Sequence, residues 1–486
     1  MQISLSFICQ NVPDTRLYQC NSLGEMYEEK AFSITYGILP IVCDAYEVVD
    51  GSTFWLLSSC KDYKASIDQA IAQDTRLIIC TEDGFSYIQQ LPLEKRAYLD
   101  VLVLKDPDDA LLTVARAWRT HNAIPTLAIT GSIGKSATKG MLQHIFKQEG
   151  IPVYASQGKC LSLQTLALSM LHVTTAHVLS FFEIHAHHPG SLTPLVTFLQ
   201  PTMGLITNIS NNCIDNFHSI HTISHEMRTL FASFSPGQIG IINGDDPNLA
   251  PYAYSVPIVR FGTKVKNQIR ASKVTPLINE LGIPEMRCIF RIYDKQKRIT
   301  LQGNHRGLVY AALAAASACY FLNTPFEAIV EGLESFTATP GCFQPLPLAA
   351  QPGEGLVIND ASTVSPEGMK AAIAAMHITT NFKHKIAVLG DMIGLGDKAG
   401  FWHRQIGRDL NKARSIKEVI LVGDSAKRIG ETTPSTIGLH YARDWQDARE
   451  ATESLILPTR KNLVLVNGQD TQLSSLVDAL TLTKGA

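Results

Sequence analysis

Short apolar runs alternate with helical repeats along most of the chain. Apolar runs that predict buried strands lie at residues 77–80, 101–104, 124–129, 178–182, 204–209, 355–360 and 463–470. Segments with apolar residues three and four positions apart lie between them, at residues 65–72, 107–117 and 309–321. Strands that alternate with helices indicate parallel sheets covered by helices. We therefore predict an α/β protein.

The length of the chain divides this pattern into domains. With 486 residues the chain is too long for one hydrophobic core and is typical of three domains. A helix with acidic residues in its first turn begins at Pro107 and marks the first boundary. We predict an N-terminal domain over 1–110, a central domain over 111–336 and a C-terminal Rossmann-like domain over 337–486.

Composition excludes several classes of protein. The formal net charge is −2, from 42 basic and 44 acidic residues, so the overall balance indicates neither a nucleic acid nor an acidic membrane as partner. The ten cysteines have no CxxC spacing, which argues against a zinc ribbon or a disulfide scaffold. The N-terminus lacks a basic region, and no apolar stretch approaches the ~18–20 residues of a membrane span. We expect a cytoplasmic protein with reduced thiols.

The stretch from Ile124 to Ile145 carries the strongest chemical signal. Its apolar run breaks into Thr-Gly-Ser-Ile-Gly-Lys-Ser at 130–136 and continues with helical spacing. Strand, glycine loop and helix form the context that a phosphate-binding loop needs. The two glycines allow positive φ, and the helix adds the positive end of its dipole. Lys135 can neutralise β- and γ-phosphate charge, and the Ser136 hydroxyl can bind Mg²⁺.

The spacing of this loop is shorter than the general P-loop pattern, which has a glycine where Ile129 stands. A tight strand–helix turn with a surface lysine is the alternative interpretation. The shorter form, T-G-S-x-G-K-S followed by Thr138 and Lys139, resembles the Mur ligase family. These are ATP-dependent, amide-forming enzymes of peptidoglycan synthesis. Later blocks at 240–248 and 386–396 resemble the same family in the same order. The resemblance implies the three-domain Mur ligase architecture, with a substrate-binding-like domain over 1–110, an ATP-binding domain over 111–336 and a Rossmann-like ligase domain over 337–486.

The resemblance also implies a set of site residues. The ATP phosphates would lie on the loop that contains Gly131, Ser132, Ile133, Gly134, Lys135, Ser136 and Ala137. Mg²⁺ would be bound by Ser136 and by Glu183, which ends an apolar run. His305 would lie near the nucleotide. Lys135 and Asp360 would be catalytic, the lysine at the transferred phosphoryl group and the aspartate at the incoming amine.

Several positions depart from the family pattern. Cys213 stands where the family has a histidine that assists a second metal ion, and Met227 stands where a lysine is carbamylated. Cys342 replaces a phosphate-binding arginine, and a cysteine cannot supply a bidentate cation. The family's UDP-sugar signature has no match. Retained residues therefore concentrate at the ATP phosphates.

Three functions are compatible with this pattern. The first is an ADP-forming ligase that joins a small-molecule carboxylate to an amine through an acyl phosphate, with ATP and Mg²⁺ as cofactors and a UDP-linked muramyl peptide as one candidate for the acid. The second is a catalytically degenerate member of the family that serves as a nucleotide-binding or scaffold protein. The third is a P-loop kinase or NTPase, which lacks a convincing Walker-B aspartate.

Overall fold

The structure is a computed structural model, and the chain folds into two compact units. The described residues are 3–29, 38, 40–158, 160–211, 214–278, 284–303, 305–337, 341, 343–349, 354–362, 365–393, 395–468 and 471–481. Unit 1 comprises Met1–Leu127, Pro152–His185 and Thr193–Pro201. Unit 2 comprises Ala128–Ile151, Ala186–Leu192 and Thr202–Ala486. The three-domain boundaries remain a prediction.

The first sheet lies in unit 1 and has six strands. They are β1 (Arg16–Cys20), β2 (Met26–Glu29), β3 (Ile41–Val42), β4 (Thr53–Trp55), β5 (Leu77–Cys80) and β6 (Asp100–Val103), in the order β2-β1-β6-β5-β4-β3. The pairs from β3 to β6 are parallel, whereas β1 is antiparallel to both neighbours. The accompanying helices are α1 (Leu5–Asn11), α2 (Tyr63–Ala72), α3 (Glu82–Gln90) and α4 (Pro107–His121). The apolar run over residues 34–40 also predicts a strand, and most of it lies outside the described residues.

The second group of strands follows α4. It contains β7 (Thr126–Thr130), β8 (Val153–Ala155), β9 (Leu179–Glu183), β10 (Met203–Ile206), β11 (Ile239–Asn243), β12 (Ile258–Gly262), β13 (Ile269–Ile278), β14 (Pro284–Ile292) and β15 (Lys295–Gln302). In unit 1, β8 and β9 pair in parallel. In unit 2 the order is β15-β14-β13-β12-β11-β10-β7. The strands from β10 to β13 are parallel, and β13, β14 and β15 form an antiparallel ladder.

Helices of the same region start and end at recognisable signals. They are α5 (Lys135–Gln148), α6 (Leu163–Leu171), α7 (Leu192–Leu199), α8 (Ile214–Phe217), α9 (Ile220–Arg228), α10 (Arg306–Phe321) and α11 (Phe326–Ser335). Ser162 and Thr165 form a reciprocal capping box at the start of α6. Helix α10 is rich in buried alanines, which lets it lie close to the sheet it covers. It confirms the predicted helix at 309–321.

The third sheet is the Rossmann-like part of unit 2. Its strands are β16 (Gln344–Pro347), β17 (Gly355–Asp360), β18 (His384–Leu389), β19 (Glu418–Val422), β20 (Gly438–Ala442) and β21 (Asn462–Asn467), in the order β16-β17-β21-β18-β19-β20. All pairs are parallel except β16 with β17. The helices are α12 (Pro366–Ile378), α13 (Ala399–Leu410), α14 (Lys427–Gly430), α15 (Trp445–Leu455) and α16 (Thr471–Thr481). Alternate residues of the strands feed two apolar clusters, one on each face. The predicted α/β class is confirmed.

Candidate nucleotide-binding site

The predicted phosphate loop lies between the end of β7 and the start of α5. Gly131 has φ +127° and Gly134 has φ +86°, conformations that side chains rarely adopt. A Cβ atom at Gly131 would also lie 2.2 Å from Thr207 Oγ1, whereas one at Gly134 would meet no atom within 4 Å. The first glycine is therefore required by conformation and by close packing, and the second by conformation alone.

A bracket formed by Thr207 and Asn208 holds the loop. Asn208 accepts the Ser132 N–H with its backbone oxygen at 2.9 Å and the Ile133 N–H with its side-chain oxygen at 2.8 Å. The Thr207 hydroxyl donates to the Ile133 carbonyl at 2.7 Å, and the Ser210 N–H donates to the Ser132 hydroxyl at 2.9 Å. Two loop amides are thus used to fix the loop. The sequence of residues 204–209 predicts only a strand and gives no sign of this bracket.

The start of α5 supplies the anion-binding geometry. The Thr138 N–H donates to the Gly134 carbonyl, so the amides of residues 135–137 precede the first bond of the helical ladder. Amides in this position, together with the helix dipole, favour a bound phosphate group. The start of α5 has the geometry of an anion site, and binding of the ATP phosphates by Ala137 and its neighbours stays a prediction.

Lys135 is folded back into the loop. Its side chain is buried, and its Nζ donates to the Gly131 carbonyl at 2.6 Å and to the Ser132 carbonyl at 3.2 Å. The ammonium group therefore stabilises the loop as well as placing a positive charge inside it. A surface lysine on a simple turn, the alternative interpretation, would be exposed.

The two predicted magnesium ligands lie in different units, so their joint binding of one ion stays a prediction. Glu183 ends β9 in unit 1, is buried, and its N–H donates to the Ser156 hydroxyl at 3.0 Å. Ser136 is the second residue of α5 in unit 2. A carboxylate and a hydroxyl are hard oxygen donors, which suit Mg²⁺. Among the described residues, no group of three or more His, Cys, Asp and Glu side chains could hold a metal ion.

Helix α9 brings Met227 to the phosphate loop. Its side chain is buried, and its sulfur accepts the Thr130 hydroxyl at 3.2 Å, at the residue before Gly131. A thioether at this place packs against the loop and cannot carry a carbamate. The neighbouring Glu226 accepts the N–H groups of Gly190 and Leu192 at 2.8 and 2.7 Å, one on each carboxylate oxygen. Both carboxylate oxygens of Glu226 therefore accept backbone N–H groups at the start of α7.

His305 lies at the N-cap of α10, with its ring centroid 5.3 Å from that of Phe343. Burial lowers the pKa of the imidazole to about 4, because the charged form loses its hydration. His305 is therefore neutral at neutral pH and can offer a hydrogen bond but no charge. Its predicted contact with the nucleotide remains a prediction.

Asp360 ends β17 and is buried at the carboxyl edge of the third sheet. One carboxylate oxygen accepts the Phe343 N–H at 3.0 Å, and the other accepts the side-chain amide of Asn467 at 2.6 Å. Asn467 ends the neighbouring strand β21, so the pair joins two strand ends. Its predicted role toward an amine stays a prediction. Cys213 and Cys342, which depart from the family pattern, lie outside the described residues.

Comparison with known proteins places the fold and the loop in a family. The model of the Mur ligase middle domain matches residues 129–319, which contain the phosphate loop, and that of the Mur ligase, glutamate ligase domain matches residues 348–469. Together the matches span well over half of the chain. The chain belongs to the Mur ligase family, as the sequence motifs indicated.

Within the family, two similar curated proteins have the same name. UDP-N-acetylmuramoyl-tripeptide--D-alanyl-D-alanine ligase of Escherichia coli (strain K12) is 26% identical over 348 residues, which cover 71% of this chain and 74% of the relative. The protein of the same name from Rickettsia prowazekii (strain Madrid E) is 24% identical over 468 residues, covering 93% of this chain and 99% of the relative.

Solved structures give the same fold. MurF from Acinetobacter baumannii superposes with a TM-score of 0.74 at 22% identity, covering 91% of this chain and 93% of that one. MurF ligase from Thermotoga maritima, solved in complex with ADP, has a TM-score of 0.70 at 19% identity and covers 91% and 97%. The predicted three-domain Mur ligase architecture is confirmed. Across the described residues, the helices are too short or too polar to cross a bilayer.

Proposed function

We propose that this protein is an ATP-dependent, ADP-forming ligase that joins a carboxylate to an amine. The observation that carries the proposal is the phosphate loop, with two glycines at positive φ, a buried Lys135 and the open start of α5. The loop is braced by Thr207 and Asn208, so its shape does not depend on a bound ligand. Preorganised donors of this kind stabilise the charge that develops on a transferred phosphoryl group.

The substrates follow from the relatives. The similar curated proteins are named as ligases that act on UDP-N-acetylmuramoyl-tripeptide and D-alanyl-D-alanine. We propose that the acid is a UDP-linked muramoyl tripeptide and that the amine is the D-alanyl-D-alanine dipeptide. These are small molecules of peptidoglycan precursor synthesis, and the reaction would take place in the cytoplasm.

The reaction assigns a role to each retained side chain. The substrate carboxylate receives the γ-phosphoryl group of ATP, and the amine then attacks the acyl phosphate to give an amide and inorganic phosphate. Lys135 and the α5 amides hold the phosphates. Ser136 and Glu183 would bind Mg²⁺, which supplies further charge neutralisation when bound. Asp360 would orient the amine from the third sheet.

Binding of nucleotide is the first test. Titration calorimetry with ATP and Mg²⁺ should give binding to the wild-type protein and a loss of at least tenfold in affinity for Lys135→Ala. Lys147→Ala is the matched control, because Lys147 lies exposed near the other end of the same helix. Equal affinities of the wild type and Lys135→Ala would contradict the assignment of the loop.

Turnover is the second test and separates the ligase from a scaffold. ADP release is measured with the UDP-muramoyl tripeptide alone, with D-alanyl-D-alanine alone and with both. A ligase forms the amide product and ADP only in the complete mixture. Nucleotide binding without product in that mixture would favour the degenerate, scaffolding alternative.

A further inference from the structure

The antiparallel ladder β13–β15 carries a concentration of positive charge that the net charge of the chain conceals. Residues 264–302 contain nine Lys and Arg against three Asp and Glu, a local net charge of +6 in a chain whose total is −2. Helices α10 and α11 cover one face of the ladder, where its apolar residues are buried. The arginines of β13 and β14 lie on the opposite face because side chains alternate along a strand.

Part of this charge has an ordinary structural explanation. Strand β15 is the edge of the sheet, and its exposed residues include Lys295, Lys297 and Arg298. Charged side chains on an edge strand prevent pairing with another chain. The same explanation does not extend to Arg270 and Arg291, because they lie on β13 and β14, inside the sheet.

Arg270 and Arg291 are directly opposite each other in the ladder. Like charges in this position repel and destabilise the strand pair. Neither guanidinium forms a salt bridge to a carboxylate of the described residues. Arg270 instead donates to the carbonyl of Val265 at 3.1 Å, and Arg291 donates to the carbonyl of Tyr293 at 2.6 Å. Two cations are therefore held side by side at one end of the ladder.

The two residues whose carbonyls hold these cations are themselves exposed and apolar. Val265 is 81% exposed, and Tyr293 is 37% exposed. The ring centroid of Tyr293 lies 5.0 Å from that of Tyr320, which is 41% exposed, and the two rings are tilted by 30°. Tyr293 has φ +52°, a left-handed backbone conformation that is strained for an aromatic residue. Asparagine or glycine would adopt this conformation in a turn with less strain. The N–H of Tyr293 donates to the Gln268 carbonyl, so the two turns are adjacent.

We propose that this end of the ladder is a docking site for an anionic phospholipid bilayer. We call it the ladder tip and define it by Val265, Tyr293 and Tyr320 with the surrounding cations Lys264, Lys266, Arg270, Arg291 and Lys295. Lys and Arg beside exposed aromatic side chains are typical of membrane–water interfaces, where the cations meet lipid phosphates. An exposed valine between two lysines favours a bilayer over a nucleic acid, since an aliphatic side chain gains free energy in the acyl region and offers no ring for base stacking.

Vesicle co-sedimentation of the full-length protein tests the proposal. Vesicles of phosphatidylcholine with 30% phosphatidylglycerol should bind the protein at low salt, and vesicles of pure phosphatidylcholine should bind it much less. Arg270→Gln with Arg291→Gln should lower the partition coefficient roughly 30-fold, from about 1 kcal/mol for each basic residue near an anionic surface. Val265→Ser should lower it about fivefold, because a partly inserted valine is lost.

The matched control removes two arginines elsewhere. Arg443→Gln with Arg449→Gln changes the net charge by the same amount at an exposed and a half-buried position of the third-sheet region, and should leave binding unchanged. Unchanged binding by the Arg270/Arg291 variant, equal binding to both vesicle types, or binding to a single-stranded RNA probe but not to vesicles would each overturn the proposal. Nucleotide affinity serves as the folding check, and the proposal does not depend on the ligase activity.

Discussion

The contact between Asn208 and the phosphate loop leads to a quantitative prediction. In Asn208→Ala the Ile133 N–H loses its acceptor at 2.8 Å, while the backbone bond from Ser132 to Asn208 remains. A partly buried donor without a partner costs about 1–3 kcal/mol. The loop can avoid this cost by turning the Ile133 amide to water, which would change the phosphate-binding conformation.

The expected result is weaker nucleotide binding with modest loss of stability. If the cost falls on the binding-competent loop, the dissociation constant for ADP rises by a factor of about 5 to 150, with about 30-fold as the central value. Asn216→Ala is the matched control, since this asparagine donates to the His187 carbonyl and makes no described contact with the loop. Titration calorimetry with ADP and Mg²⁺ measures both variants.

The outcome that refutes the reasoning is specific. If Asn208→Ala binds ADP as the wild type does while Lys135→Ala has lost binding, the loop keeps its shape without the Asn208 side chain. The hydrogen bond from the Ile133 N–H to that side chain would then have no part in holding the loop. A loss of binding by the Asn216→Ala control would show instead that the region responds to any substitution.

Two further predictions concern the third sheet and the N-cap of α10. Asn467→Ala removes a hydrogen-bond donor to the buried carboxylate of Asp360, so the free energy of unfolding measured by urea titration should fall by about 1–3 kcal/mol; an unchanged value would show that the carboxylate rearranges to water. His305 has a folded-state pKa of about 4 against 6.5 when unfolded, so its contribution to stability is present above pH 6.5 and is lost as pH falls toward 4. His305→Asn should remove up to about 3 kcal/mol of that acid sensitivity, measured as the difference between urea titrations at pH 7 and pH 4.5. Identical pH dependence in the variant and the wild type would refute the assignment.

The sequence predicts the phosphate loop because the residues that form it are neighbours in the chain. The apolar run, the two glycines and the helical repeat are consecutive in the chain, so the loop and its flanking elements could be predicted from the residues alone. The bracket of Thr207 and Asn208 could not be predicted, because Asn208 lies 75 residues from Ile133 and the residues around Asn208 predict only a strand. The partner of Asp360 is 107 residues away for the same reason.

The ladder β13–β15 is an element that sequence reasoning missed although a signal was present. Alternate residues of β14, from Met286 to Ile292, are buried, and the residues between them are polar or partly exposed. This period of two indicates a half-buried strand. The net charge of the whole chain concealed the cations on the other face of the ladder. It is near zero because the basic ladder and the more acidic remainder of the chain nearly cancel. The period of two indicates the strand, and a charge count by segment indicates the cations.

The described contacts also explain how the phosphate loop keeps its form while positions around it differ from the family pattern. The loop is held by Thr207, Asn208 and the folded-back Lys135, and Met227 contributes a buried thioether that packs beside Thr130. None of these contacts requires a carbamate or a second metal ion. Loss of those groups therefore leaves these contacts of the loop intact, and nucleotide binding can be tested separately from ligation. The amide product, formed only when acid and amine are both supplied, is accordingly the decisive observation for the ligase, and affinity for ADP is the decisive observation for the loop.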